Sequence, residues 1–232
     1  MEFFLDTASA EEVRKIVPWG VVSGLTTNQR KFLEQGGVDF KERALELIAL
    51  VNGPVSLELT SRGVADQVHE ALEYYSWDPN HVVVKVAMRR DGSGLETIHK
   101  LHYRGIPVNA TVMMTPAQAV LAAKAGANYV SLFFNRIKEA GDDPVLAINQ
   151  TRKILDKAAL KARIIAGSIR QPRDFIDAAL AGADIVTMPY GVMVQLPFHS
   201  MSEQVIEEFD KAWLEFLRLR RLPATQETLA RS

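Results

Sequence analysis

The chain contains no cysteine. Disulfides, thiolate nucleophiles and zinc–thiolate sites are therefore excluded, and a cytoplasmic setting is the plain expectation. There is no uncharged apolar run of ~18 residues, so neither a membrane span nor a membrane partner is expected. The opening Met1-Glu2-Phe3-Phe4-Leu5-Asp6 has no basic segment ahead of its apolar residues and runs straight into a strand-like pattern. A secretory leader is not expected from such a start. Charge of neither sign is in excess, the formal net charge being −1, which gives a nucleic-acid partner no support. No linker or low-complexity stretch divides the chain, and no glycine-rich phosphate fingerprint follows its first strand-like run.

What the chain has is alternation. Its 232 residues are 47% hydrophobic, enough for one large core. Eight short apolar runs read as strands: Phe3 to Asp6, Gly20 to Gly24, Val55 to Leu59, His81 to Val86, Pro107 to Met113, Tyr129 to Phe134, Arg163 to Gly167 and Ile185 to Met188. Runs of this kind suit parallel strands covered by helices. Between them lie helical patterns with legible ends. Ser9-Ala10-Glu11-Glu12 reads as a capping box. Thr115-Pro116 opens a helix that Gly126 closes, and Asp142-Asp143 reads as another helix start. Ala125-Gly126-Ala127 and Ala181-Gly182-Ala183 each join a helix to a strand, a faint echo of a repeated βα unit.

Alternating β and α throughout predicts an α/β fold, and eight strands favour a closed (β/α)8 TIM barrel. A last helix from about Ser202 to Arg221 carries an apolar stripe of Val205, Phe209, Ala212, Trp213 and Phe216. That stripe suits either the barrel's own surface or a subunit contact. Residues 1–222 are expected to form one domain that includes this helix, and residues 223–232 a loose tail.

Barrel active sites gather at the C-terminal ends of the strands. Asp6, Thr26-Thr27-Asn28, Glu58, Lys85, Asn109 with Thr111, Ser131 with Phe133 and Arg136, and Ser168 with Arg170 all fall there. The eighth strand, ending Met188-Pro189, reads as apolar, so seven of eight strands point polar groups at one mouth. Lys85 is the sharpest feature, lying within His81-Val82-Val83-Val84-Lys85-Val86. An ammonium in an apolar strand is costly unless paired or deprotonated. Burial in general favours the neutral amine that attacks a carbonyl. A purely stabilising ion pair is the competing account, with Glu58 as its partner. Asp6 and Glu58 on neighbouring strands offer two carboxylates for proton transfer beside an amine. Arg136, Ser168 and Arg170 resemble a phosphate grip, although each arginine alone suits a solvated surface. His99 and His102 read as packing or surface residues, since no carboxylate ligand pattern accompanies them.

These residues resemble those of the small single-barrel transaldolases and the related fructose 6-phosphate aldolases. The motifs that carry the resemblance are Leu5-Asp6-Thr7, Thr26-Thr27-Asn28, Val83-Val84-Lys85, Gly105-Ile106-Pro107, Ala122 to Ala127, Asn135-Arg136-Ile137 and Ala166-Gly167-Ser168-Ile169-Arg170. The resemblance implies that Lys85 forms a Schiff base with a ketose phosphate and that Asp6 exchanges a proton with the substrate hydroxyl. Glu58 and Thr111 would hold a water. Asn28, Asn109 and Ser131 would hold the three-carbon unit, and Arg136, Ser168 and Arg170 the phosphate. Glu58, Ser131 and Phe133 match the transaldolase side, which implies transfer of a dihydroxyacetone unit to an aldose phosphate. An aldolase releasing free dihydroxyacetone is the same-site alternative, and a non-catalytic sugar-phosphate binding protein the alternative from another class. The resemblance further implies no metal or organic cofactor and a ring-like homo-oligomer, pentameric or decameric. Gln29, Ala87, Met113, Met114, Leu132 and Asn135 depart from the usual pattern.

Overall fold

The computed structural model describes residues 1–221. It holds eight strands: β1 (Glu2–Asp6), β2 (Val22–Thr26), β3 (Val55–Glu58), β4 (Val82–Ala87), β5 (Val108–Met113), β6 (Tyr129–Phe133), β7 (Arg163–Gly167) and β8 (Ile185–Met188). All neighbours pair in parallel, and β8 pairs with β1, which closes the barrel. Helices alternate with the strands: α1 (Ala10–Ile16), α2 (Gln29–Leu33), α3 (Phe40–Leu50), α4 (Val64–Trp77), α5 (Ser93–His102), α6 (Pro116–Ala125), α7 (Phe134–Glu139), α8 (Pro144–Lys157), α9 (Pro172–Leu180), α10 (Tyr190–Met193) and α11 (Ser200–Arg221). The expected (β/α)8 barrel with an added C-terminal helix is therefore present.

Side chains alternate along each strand. Outward residues such as Leu5, Val84, Val86, Leu132 and Val186 are fully buried beneath helices. Inward residues fill the barrel. Phe4, Ile165 and Ile185 pack together at its base. Gly24 on β2 makes room there, because a Cβ would sit 2.8 Å from the Phe4 ring. Above them the inward positions turn polar, with Ser56, Asn109 and Ser131 and then Asp6, Thr26, Glu58, Lys85, Thr111 and Thr187. That change of character along the strands places the chemistry at one end of the barrel.

The helix ends follow their sequence signals, with one difference. Thr115 and Gln118 form a reciprocal capping box at α6, and Gly126 ends that helix with φ +109°. A side chain at Gly126 would also meet the His102 ring, so His102 packs beneath the turn. Gly182 repeats the left-handed stop before β8. Asp143 caps α8 by accepting from the backbone N–H groups of Val145 and Leu146. At α1, Ser9 caps the helix, but Glu12 does not return the bond. Its carboxylate accepts a hydrogen bond from the Thr7 hydroxyl instead.

The expected second strand begins two residues late. Gly20, at φ +72°, ends a 3-10 turn over Val17–Trp19, so pairing starts only at Val22. The chain divides into two compact units, Met1–Met193 and a second beginning at Val194. Helix α11 lies in the second unit. Its Phe209, Trp213 and Phe216 are exposed, Trp213 at 57%, and Trp213 stacks on Phe216. The expected tail, residues 223–232, lies outside the described residues. Among the described residues no helix is long and apolar enough to cross a membrane.

Candidate active site

Strand register brings the central groups together. Glu58 on β3 lies beside Lys85 on β4, and Lys85 beside Asn109 on β5. Lys85 is 4% exposed. Its Nζ stands 3.2 Å from Glu58 Oε2 and donates to the Thr27 carbonyl at 3.0 Å. A buried ammonium is tolerated when it is paired and hydrogen-bonded, and here it is both. The pair opens onto a cavity of about 630 Å³, whose wall includes Asp6, Asn28, Glu58, Lys85, Thr111, Ser131, Phe133, Arg136, Ser168 and Arg170. Ten of the eleven residues that the resemblance assigns to the site thus face one space.

The eleventh, Asn109, does not reach that wall. It is fully buried one inward position deeper on β5. Its Nδ2 donates to Ser56 Oγ at 3.1 Å, and its Oδ1 accepts the Ser131 hydroxyl at 2.7 Å. Asn109 fixes Ser131, and Ser131 meets the cavity. Asn28 has two duties, since its Oδ1 also caps α2 by accepting from the Lys31 backbone at 3.0 Å.

Asp6 is aimed by two hydroxyls. Thr26 Oγ1 donates to Asp6 Oδ1 at 2.8 Å and lies 2.6 Å from Thr187 Oγ1. Thr26 has one hydroxyl proton, which it donates to Asp6, so Thr187 donates to Thr26. Thr187 comes from β8 and lines the cavity, so all eight strands supply a polar group. The apolar reading of the eighth strand missed it because Met188 and Pro189 end that run. The period-two alternation that turns Ile185 inward also turns Thr187 inward.

Strand β5 is strained where it meets the cavity. Pairing with β6 slips between Ala110 and Met113, and Val112 sits at φ +59°. A β-branched residue in the left-handed region costs on the order of 1–3 kcal/mol and marks functional sites. The bulge presents Thr111, whose buried hydroxyl has no partner among the described residues. A bulge that re-aims a side chain is a recurrent device beside active sites.

Across the mouth, Arg136 on α7 and Arg170 after β7 lie on either side of Glu139. Arg136 Nη1 is 2.9 Å from Glu139 Oε2, and Arg170 Nη1 is 2.5 Å from Glu139 Oε1. The Arg170 guanidinium, with Arg136 beside it, holds the Glu139 carboxyl below its ordinary value, and Glu139 in turn holds Arg170 above its own. Ser168, between the two loops, adopts φ +59°. Among the described residues no group of three or more His, Asp or Glu side chains is placed to hold a metal ion.

A family model described as transaldolase/fructose-6-phosphate aldolase matches residues 3–231. The chain belongs to this family. A probable transaldolase of Maridesulfovibrio salexigens is 40% identical over 213 residues, covering 92% of this chain and 98% of the relative. One of Aquifex aeolicus is 40% identical over 92% of this chain and 96% of its own length. Probable transaldolase 2 of Listeria monocytogenes is 40% identical over 93% of this chain and 97% of its own length.

Several departures from the usual transaldolase-family pattern have structural duties. Gln29 donates from Nε2 to the Leu59 carbonyl at 3.2 Å, tying α2 to the end of β3. Met113 and Leu132 are fully buried. Asn135 does more. Its Nδ2 donates to the Ser168 carbonyl at 2.8 Å and to Asp174 Oδ2 at 2.6 Å. Asp174 also accepts from the backbone N–H groups of Arg170 and Gln171 and from the Gln171 side chain. The loops bearing Arg136 and Arg170 are thereby latched together. Nothing in the structure explains Ala87 or Met114. Glu139, Asp174 and Thr187 were not singled out from the sequence. An acidic residue three after an arginine on a helix reads as a surface pair, and only the fold brings Arg170 to it.

Proposed function

We propose that the protein is a transaldolase that moves a dihydroxyacetone unit from a ketose phosphate, fructose 6-phosphate or sedoheptulose 7-phosphate, to an aldose phosphate. The observation that carries this reading is the buried Lys85–Glu58 pair at 3.2 Å, opening on a cavity that Asp6 and two arginines also line. The Lys85 amine adds to the ketose C2 carbonyl, and loss of water gives the protonated Schiff base. Asp6 takes the proton of the C4 hydroxyl. The C3–C4 bond breaks, its electron pair enters the iminium to form an enamine, and an aldose phosphate leaves. A second aldose phosphate enters, the enamine carbon attacks its carbonyl, and Asp6 returns the proton. Water then releases the new ketose.

The other wall residues fit this sequence. The Thr111 hydroxyl, without a partner among the described residues, and the Glu58 carboxylate face the cavity beside Lys85, where water leaves and re-enters during Schiff-base formation and hydrolysis. Asn28 and Ser131 offer hydrogen bonds to the three-carbon unit, with Asn109 behind Ser131. Arg136, Arg170 and Ser168 supply donors for the phosphate oxygens. Phe133 presents a ring without a hydroxyl to the cavity, which leaves no phenol to position a water for enamine protonation and so favours transfer over release. No step calls on a metal or organic cofactor.

A coupled assay with fructose 6-phosphate, run with and without erythrose 4-phosphate, tests the reading. Glyceraldehyde 3-phosphate should form only with the acceptor. Equal formation without it would replace transfer by aldol cleavage, and no product in either case would favour a sugar-phosphate binding role. We also propose that the exposed apolar residues of α11 support a homo-oligomer. Light scattering that returned the mass of one chain would remove that part.

A further inference from the structure

We infer that Glu139 is a specificity-determining residue: it positions Arg136 and Arg170 for a terminal phosphate and so sets the preference for phosphorylated over unphosphorylated aldoses. The inference rests on the reading of these arginines as the phosphate site. Glu139 is absent from the cavity wall, whereas both arginines line it. Each carboxylate oxygen meets the Nη1 of one guanidinium, Oε2 that of Arg136 at 2.9 Å and Oε1 that of Arg170 at 2.5 Å. Among the described residues no hydrogen bond engages Nε or Nη2 of either arginine. Each fork therefore keeps two donor nitrogens for a ligand while its third is held by Glu139. Two guanidiniums this close repel one another, and a shared carboxylate is what lets them converge.

The loops behind them point the same way. Arg136 belongs to α7 and Arg170 to the turn after β7. Those segments are joined at their backbones through Asn135, the Ser168 carbonyl and Asp174, and at their tips through Glu139. A long arginine side chain loses much conformational freedom when it grips an anion, and a guanidinium already held in place loses less. Without Glu139 the two side chains, each about half exposed, would have to be ordered by the phosphate itself.

The test compares erythrose 4-phosphate with erythrose as acceptor, the donor being held constant. In Glu139→Gln the KM for erythrose 4-phosphate should rise about tenfold, as expected when pre-organisation of a clamp is lost, and kcat should change far less. The ratio of the two acceptors' KM values should shrink accordingly, and Glu139→Asp should restore part of it. An unchanged ratio would reduce Glu139 to a surface ion pair. A lower KM for the phosphate ester would mean that the carboxylate competes with the substrate, and it too would overturn the inference. Arg136→Gln and Arg170→Gln separate this from the underlying reading. If they leave the ratio intact, the phosphate site itself is misplaced. If they collapse it while Glu139→Gln does not, only the role of Glu139 fails.

Discussion

Lys85→Ala should lower turnover on the order of 10⁴-fold or more, the scale seen when a covalent nucleophile is removed from an active site that otherwise stays assembled. The physical reason is that no other amine can take its place. Lys85 is inward on β4, between Glu58 and Asn109 in register, and its Nζ is held by the Thr27 carbonyl and Glu58. Lys31 on α2 also lines the cavity, but it is paired with Glu34 just past that helix. The fold should persist in the variant. Glu58 loses its cation, yet its carboxylate lines the cavity and can be hydrated there. Circular dichroism should therefore be unaltered while activity is gone. Borohydride added to the wild type with fructose 6-phosphate should leave a reduced sugar adduct on the peptide containing Lys85. A variant that still turns over, or an adduct on a different lysine, would sink the Schiff-base assignment.

Asp174→Ala should be the most damaging change away from the reacting groups. Asp174 is 2% exposed and accepts four hydrogen bonds, from Asn135 Nδ2 and Gln171 Nε2 and from the backbone of Arg170 and Gln171. Truncation removes four charge-assisted bonds and takes one of two acceptors from the buried Asn135 amide, which costs roughly 3 kcal/mol. A chain of this size should then melt roughly 6–12 °C lower. Because the Arg170 backbone loses its anchor, the KM for phosphorylated substrates should rise as well. The sign of the pH dependence follows from the carboxylate's balance of forces. Burial works to raise its pKa, but the bonds from Asn135, Arg170 and Gln171 outweigh burial and hold it below the ordinary aspartate value. A depressed value in the fold stabilises the protein fully above about pH 4, and that stabilisation is lost as pH falls through the depressed value. The melting difference between wild type and variant should therefore be full at neutral pH and shrink in strong acid. A difference of under about 2 °C at neutral pH would show that the latch contributes little.

The barrel was legible because each strand-like run is short, apolar and followed by a helix with a readable start or stop. The second strand was misjudged at its start because Val21 and Val22 look alike in sequence, while Gly20 spends the preceding residues in a tight turn. That Asp6, Glu58 and Lys85 share one mouth was legible for a similar reason. Charged residues at the end of an apolar strand have nowhere to go but the barrel mouth. Depth along a strand was not legible. Asn109 and Thr111 both point inward, but only the fold shows that the first is sealed between Ser56 and Ser131 and that a slip in pairing delivers the second to the cavity. Partnerships between distant loops were hidden for the same reason. Glu139 and Arg170 are 31 residues apart in sequence, and Asn135 and Asp174 are separated by 39.

The hydroxyl chain behind Asp6 has a stereochemical consequence. Thr187 donates to Thr26 and Thr26 to Asp6 Oδ1, so the carboxylate is held by one oxygen from one side. The group cannot rotate freely, and the two oxygens are not equivalent. In the proposed reaction, proton exchange with a bound sugar would fall to the oxygen that the threonines leave open, and it would take place from a fixed direction. In the proposed transfer the acceptor's carbonyl oxygen must lie toward that oxygen to receive its proton as the carbon–carbon bond forms, which fixes the carbonyl face turned to the enamine. Two methyl-bearing hydroxyls on β2 and β8, which take no part in bond making, would thus help to decide the handedness of the carbon that the proposed reaction creates.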